Sequence, residues 1–168
     1  MLEIFQKTIK NTVSFEGVGL HSGKNSKVTI FPGKANEGII FKRIDVKSHN
    51  QILANYKNVS SARLCTTLEN LNGIKVSTVE HLLAALYIYG IDNAVIEIDN
   101  EEVPIMDGSS KEFLNLLGKA GSVRLEAKRK YLKILDKIEL IDGKRNISIE
   151  PSKNSLEVDF QLNYENKL

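Results

Sequence analysis

Residues 77–90 constrain the fold more than any other segment of this chain. Ser77-Thr78-Val79-Glu80 has the Ser-x-x-Glu spacing of a capping box, and Gly90 suits a left-handed stop, so the pattern predicts a helix running to about Tyr89. At about 100° per residue, Val79, Leu82, Leu83 and Leu86 make the expected core stripe. Glu80, His81, Ala84, Ala85 and Ile88 fall on the opposite side. A solvated back face would carry Lys, Glu or Gln. This one carries two alanines, an isoleucine and one acid–imidazole pair, so it calls for something packed upon it.

A second helix opens at Ser109-Ser110-Lys111-Glu112, again with capping-box spacing, and closes at Gly121. Phe113, Leu116, Leu117 and Ala120 give it an amphipathic repeat. Alternating segments at 27–31, 38–43 and 93–99 read as strands, the first two separated by a turn-rich stretch with Pro32, Gly33 and Asn36. A charged shift at Arg124 to Lys133 reads as a linker, which sets a first domain at 1–125 and a second at 126–168. Three strands are expected beyond it, at about 131–141, 145–150 and 155–164, with Asp142-Gly143 as a hairpin turn. A three-stranded meander with one greasy face needs a cover, so the tail reads as the incomplete start of a second domain.

Composition excludes several classes. A formal charge of +2 over 168 residues is too near neutral to advertise nucleic-acid binding. One cysteine forbids an internal disulfide framework and a CxxC zinc site. No apolar run reaches the ~18–20 residues of a membrane span, and Met1-Leu2-Glu3-Ile4-Phe5 lacks the hydrophobic region of a signal peptide. The expectation is a soluble, cytoplasmic protein.

Among residues that could carry chemistry, Glu80 and His81 stand first. Adjacent on a helix's first turn, they border one site without touching. Histidine is a good zinc ligand, and a nearby carboxylate can act as general base on water. Position 85 is Ala, so the helix offers one imidazole, unlike an HExxH helix. By spacing alone the blander explanation is stronger: Glu80 completes the cap with Ser77, and His81 is a partly buried helix histidine. Gly17-Val18-Gly19-Leu20-His21-Ser22-Gly23 could cradle a phosphate, but lacks the Walker Lys and Ser/Thr, and a glycine-rich turn explains it better. Cys65 could be a nucleophile or a small apolar residue. Asp107 could be catalytic or could anchor the turn before the second helix. Lys128-Arg129-Lys130 reads as solvated linker and His49 as a loop residue.

Taken in order, Gly-Val-Gly-Leu-His-Ser-Gly (17–23), Leu-Cys-Thr (64–66), Ser-Thr-Val-Glu-His-Leu-Leu-Ala-Ala-Leu (77–86), Gly-Ile-Asp-Asn (90–93) and Pro-Ile-Met-Asp-Gly-Ser (104–109) resemble the UDP-3-O-acyl-N-acetylglucosamine deacetylases, zinc amidases of lipid A biosynthesis. The similarity covers nearly all of the chain. It implies an α+β fold: a two-layer domain of sheet plus helices, then the opening strands of a second, similar one. It further implies that His81 is one of three zinc ligands, that Glu80 is the base, and that Leu64, Cys65 and Thr66 lie near the substrate. His21 would sit close to the site without a catalytic role. The resemblance assigns a His-x-x-x-Asp helix and an acid histidine to a second half. Only His21, His49 and His81 occur here, and none begins such a motif. The expected partners are therefore the UDP-sugar substrate and the missing C-terminal domain or a complementing chain, with no nucleic acid and no transmembrane segment. Two rivals stay open: a non-catalytic binding or interaction fragment derived from the deacetylase, and a wholly structural role for Glu80 and His81.

Overall fold

The computed structural model describes residues 4–153 and 156–162. The chain divides into two compact units, one ending at Arg129 and one starting at Lys130. The first unit contains β1 (Phe5–Ile9), β2 (Val13–Val18), β3 (Asn25–Pro32), β4 (Ile39–Arg43), β5 (Gln51–Leu53), a 3-10 turn (Tyr56–Asn58), β6 (Val59–Ser61), β7 (Thr67–Glu69) and β8 (Lys75–Val76). It continues with α1 (Glu80–Tyr89), β9 (Ala94–Ile98), α2 (Lys111–Ala120) and β10 (Ser122–Lys128).

Strict alternation places one face of each long strand in the core. On β3, Ser26, Val28 and Ile30 are buried while Lys27 is exposed; on β9, Ala94, Ile96 and Ile98 are buried. These strands sit inside a five-stranded sheet of order β2-β3-β9-β4-β5, antiparallel except for the β4–β9 pair. Leu82, Ala85 and Leu86 of α1, with Phe113 and Leu117 of α2, share one apolar cluster with Phe15, Val28, Ile30, Phe41 and Ile96. Phe15 meets Phe113 edge to face at 5.3 Å between ring centroids. The unit is thus an α+β fold in which sheet and helices close on one core. Two smaller sheets complete it, β1 with β10 and β6-β7-β8.

The Gly-Ile-Asp-Asn segment belongs to this framework. Gly90 takes a left-handed conformation (φ 80°) and ends α1. Asn93 donates to Gln6 Oε1 and accepts from the Gly38 amide, while Asp92 accepts from the Lys7 amide and pairs with Arg129 through two nitrogens at 2.7 Å. Gly33 runs against the same region: a Cβ there would lie 2.7 Å from the Ala94 backbone nitrogen. Gly33→Ala is expected to destabilise the chain by about 1–3 kcal/mol, read as a lower denaturant midpoint with an unchanged slope.

Several expectations are corrected. Neither capping box forms. Ser77 is a strand-end residue bridged to Glu102, its amide donating to Glu101 O, and α1 starts only at Glu80 with no side-chain cap. At α2, the cap is Ser110, whose hydroxyl donates instead to His81 O. Ala85, placed by periodicity on the outer face, is fully buried, because α2 packs over that side of α1; Ala84, Tyr87 and Ile88 are the exposed residues. The 124–133 linker is largely strand: β10 pairs with β1, Arg124 stacks on Phe5 at 4.3 Å, and Arg129 binds Asp92, so the first unit extends past residue 125. Charge read as solvation was in fact edge-strand decoration.

In the second unit, β11 (Ile138–Asp142) and β12 (Arg145–Ile149) form a hairpin, with Gly143 at φ 58° in its turn. The expected meander has two strands among the described residues. Residues 156–162 are not strand, since a strand needs a ladder partner and none pairs with them among the described residues. Residues 155, 163 and 164 of the expected third strand lie outside the described residues.

Candidate functional site

The 64–66 motif meets the 77–86 motif at the first turn of α1. Thr78 precedes it with φ 55°, a conformation that is a true outlier for a β-branched residue. This kink turns the chain from β8 into the helix, leaving Glu80 and His81 as the first two helical residues. Glu80 does not reach back to Ser77. Its Oε2 accepts from the Thr66 amide at 3.1 Å, and the Val79 amide donates to Thr66 O at 3.4 Å. The 64–66 segment is therefore laid against the helix start. Leu64 stands there 85% exposed with φ 69°, Cys65 is half-buried with its thiol 3.8 Å from Thr67 Oγ1, and Thr66 is half-buried. Positive φ at non-glycine residues recurs at Met106, in the segment that leads to Ser110 and hence to His81 O. Of the five non-glycine residues at positive φ among the described residues, Leu64, Thr78 and Met106 fall in these segments, and Asn36 and His49 lie elsewhere.

Glu80 Oε1 and the ring of His81 make no hydrogen bond to another described residue, and both side chains are half-buried. Glu80 thus keeps a carboxylate oxygen, and His81 its ring nitrogens, without a hydrogen bond to another described residue, and Glu80 is held against Thr66. A base and a donor ligand need this availability.

The residue that sequence reasoning missed is Glu102. It is 1% exposed, yet charged. Its Oε1 accepts from the His21 amide at 2.9 Å and from Thr78 Oγ1 at 2.9 Å; Oε2 accepts from the Ser22 amide at 2.7 Å. Burial pushes its pKa up, but the bonds from the Ser22 hydroxyl, the His21 and Ser22 amides and Thr78 outweigh that and bring it down to about 2. Two amides of the 17–23 segment that could have cradled a phosphate, those of His21 and Ser22, are thus turned on the protein's own carboxylate, while those of Gly19 and Gly23 bond Lys24 O and Gly19 O. Gly19 is required at that approach, since a Cβ would come within 2.4 Å of Glu102 Oε2. The available signal was a second acid, Glu102, directly ahead of Val103-Pro104, where a solvated pair would be out of place.

Other candidates resolve simply. Asp107 anchors its turn, accepting from the Ser109 amide and hydroxyl, and the Ser109 amide first of all holds its carboxyl below the usual range. His49 is exposed at φ 53°, and its carbonyl accepts from Asn70, away from Glu80 in the bonding network. The side chain of His21 is exposed on the loop that Glu102 grips.

A zinc site needs about three protein ligands. Among the described residues no group of three or more His, Cys, Asp or Glu side chains could hold a metal ion. His81 offers one suitable donor, so the described residues do not complete such a site. Nor is any described helix long and apolar enough to cross a membrane.

Residues 6–168 match the model of the family described as UDP-3-O-acyl N-acetylglycosamine deacetylase. A UDP-3-O-acyl-N-acetylglucosamine deacetylase of Geotalea uraniireducens (strain Rf4) is 48% identical over 149 residues, which is 89% of this chain and 48% of the relative. One from Phenylobacterium zucineum (strain HLK1) is 41% identical over 162 residues, 96% of this chain and 55% of the relative. One from Pseudoalteromonas atlantica (strain T6c / ATCC BAA-1087) is 40% identical over 162 residues, covering 96% and 53%. The chain spans about half the length of these curated relatives.

Proposed function

This chain belongs to the UDP-3-O-acyl N-acetylglycosamine deacetylase family, and from that membership we propose that it forms the Glu80–His81 side of an active site that removes acetate from UDP-3-O-acyl-N-acetylglucosamine, a step of lipid A biosynthesis in the cytoplasm. The observation that carries the proposal is the first turn of α1, where Glu80, held by the Thr66 amide through one carboxylate oxygen, is followed by a half-buried imidazole, His81, with no hydrogen bond to another described residue. In this reading Glu80 Oε1 takes the proton of the water that attacks the acetamide carbonyl. The Thr66 amide fixes the carboxylate through Oε2, so that Oε1 is presented in one orientation. Leu64, Cys65 and Thr66 line the path of the substrate. His81 is one ligand of a zinc ion whose other ligands, with the histidine that protonates the leaving amine, come from outside these 168 residues. Bound zinc supplies such a hydrolysis with polarisation of the carbonyl and a lowered water pKa.

A non-catalytic interaction fragment is the second reading, favoured by the single imidazole and by exposed Tyr87 and Ile88 on α1. Fusing this chain ahead of the remaining half of the Geotalea uraniireducens relative separates the two. The chain alone is expected to bind zinc more weakly than about micromolar and to release no acetate, one ligand being insufficient to hold the open geometry. The fusion is expected to hold one zinc and to release acetate. A folded, zinc-loaded fusion without acetate release would sink the deacetylase reading in favour of the interaction fragment; tight stoichiometric zinc in the chain alone would refute the division of ligands.

A further inference from the structure

Glu102 is connected to both sides of the site and is part of neither. It lies four residues beyond the end of β9 and is bridged backbone to backbone with Ser77. Around it the main chain is pinned at three more points: the Ser26 hydroxyl donates to Glu102 O at 2.8 Å, the Val103 amide donates to Ser77 O at 3.1 Å, and the Ile105 amide donates to Val18 O at 3.1 Å. A carboxylate on a support this fixed is a rigid acceptor, and three of its hydrogen bonds matter here. One of its donors, Thr78, holds the least favourable backbone angle near the site and stands two residues before Glu80. The other two, the His21 and Ser22 amides, belong to a loop with no helix or strand of its own.

The geometry points to Glu102 as a positioning residue that holds Thr78 at positive φ and the 17–23 loop against it, and so sets the direction in which Glu80 and His81 leave the helix start. Without the Thr78 hydroxyl–carboxylate bond, the backbone is tied only on either side, at Ser77 and at the Val79 amide, and the β-branched residue loses the contact that offsets its unfavourable angle. The turn then relaxes, and the Glu80 carboxylate moves off the Thr66 amide. A structural anchor would loosen Thr66 no more than the rest of the fold. A positioning residue adds a selective loss at the site to any general loss of stability, and this difference is measurable without turnover. The inference rests on the deacetylase reading only in calling Glu80 and His81 the reacting pair.

Amide hydrogen exchange on the full 168-residue chain tests it. In Glu102→Gln the Thr66 amide, which donates to Glu80, is expected to be accelerated at least about tenfold more than the Gly38 amide, which donates to Asn93 beyond the end of α1 and reports the general loss of stability. The His81 ring resonances should shift in the same folded sample. Should Glu102→Gln not fold, Thr78→Val removes only the hydroxyl and is expected to give the same selective loss at Thr66. Thr78→Ser, which keeps the hydroxyl, is expected to restore protection. Equal acceleration at Thr66 and Gly38, or Thr78→Val behaving like Thr78→Ser, would overturn the assignment and leave Glu102 a general anchor. Neither result depends on acetate release, so the failure of this inference and that of the deacetylase reading are read from different measurements.

Discussion

Glu102→Gln is expected to lower the unfolding free energy by about 3 kcal/mol at pH 7 and to flatten its acid dependence. The carboxyl titrates at about 2 in the folded chain against an ordinary value of 4.5, and a depression of that size corresponds to about 3 kcal/mol of folded-state stabilisation. Because the folded pKa is the lower one, this stabilisation is fully present above pH 4.5. It is lost as the pH falls towards 2, where the carboxyl protonates in the folded state too. The amide of Gln keeps the shape but turns an NH2 towards donors, so at least one of the His21, Ser22 and Thr78 bonds must break. Denaturant unfolding from pH 7 to pH 2 reads both effects. The wild-type and variant curves should converge at the acid end. Parallel curves across that range would mean the buried carboxylate contributes nothing specific as an anion.

Glu80→Gln and His81→Ala, made in the fusion that carries the relative's remaining half, are expected to have the largest effects on turnover. Gln retains a carbonyl oxygen that can accept from the Thr66 amide, so the site's packing survives the change. Only the base is lost, and kcat should fall about 10²–10⁴-fold with zinc content unchanged. His81→Ala should instead reduce zinc content itself, by at least about tenfold in affinity, with turnover lost in proportion. Acetate release and metal content on the same samples check both. Full turnover in Glu80→Gln would make the residue a mere spacer for the 64–66 segment. Normal zinc in His81→Ala would remove this helix from the metal site.

The structure changes what Glu80 can be. Ser-x-x-Glu spacing alone is satisfied equally by a capping box, and that explanation fails only because Ser77 is drawn into a bridge with Glu102. Glu80's freedom from capping is therefore a tertiary fact. The same holds for the glycine-rich loop: its amides are arranged for an anion, and only the fold shows that the anion is internal. The 124–133 stretch marks the opposite failure. Basic residues on an edge strand look like linker, because the partner β1 lies more than a hundred residues earlier in the chain.

By itself the sequence determined three of the five strands of the central sheet, the two helices with their closing glycines, and the presence of Glu80 and His81 on one first turn. These follow from local periodicity and from the backbone preferences of single residues, which act over a few positions. Only the tertiary structure decided which face of α1 is covered, that Thr66 holds Glu80, and that Glu102 is a buried anion gripping both Thr78 and the His21 loop. Those outcomes join residues 14, 24 and some 80 positions apart. Hydrogen-bond donors find a buried carboxylate through space, and nothing in the order of the residues records where that space closes.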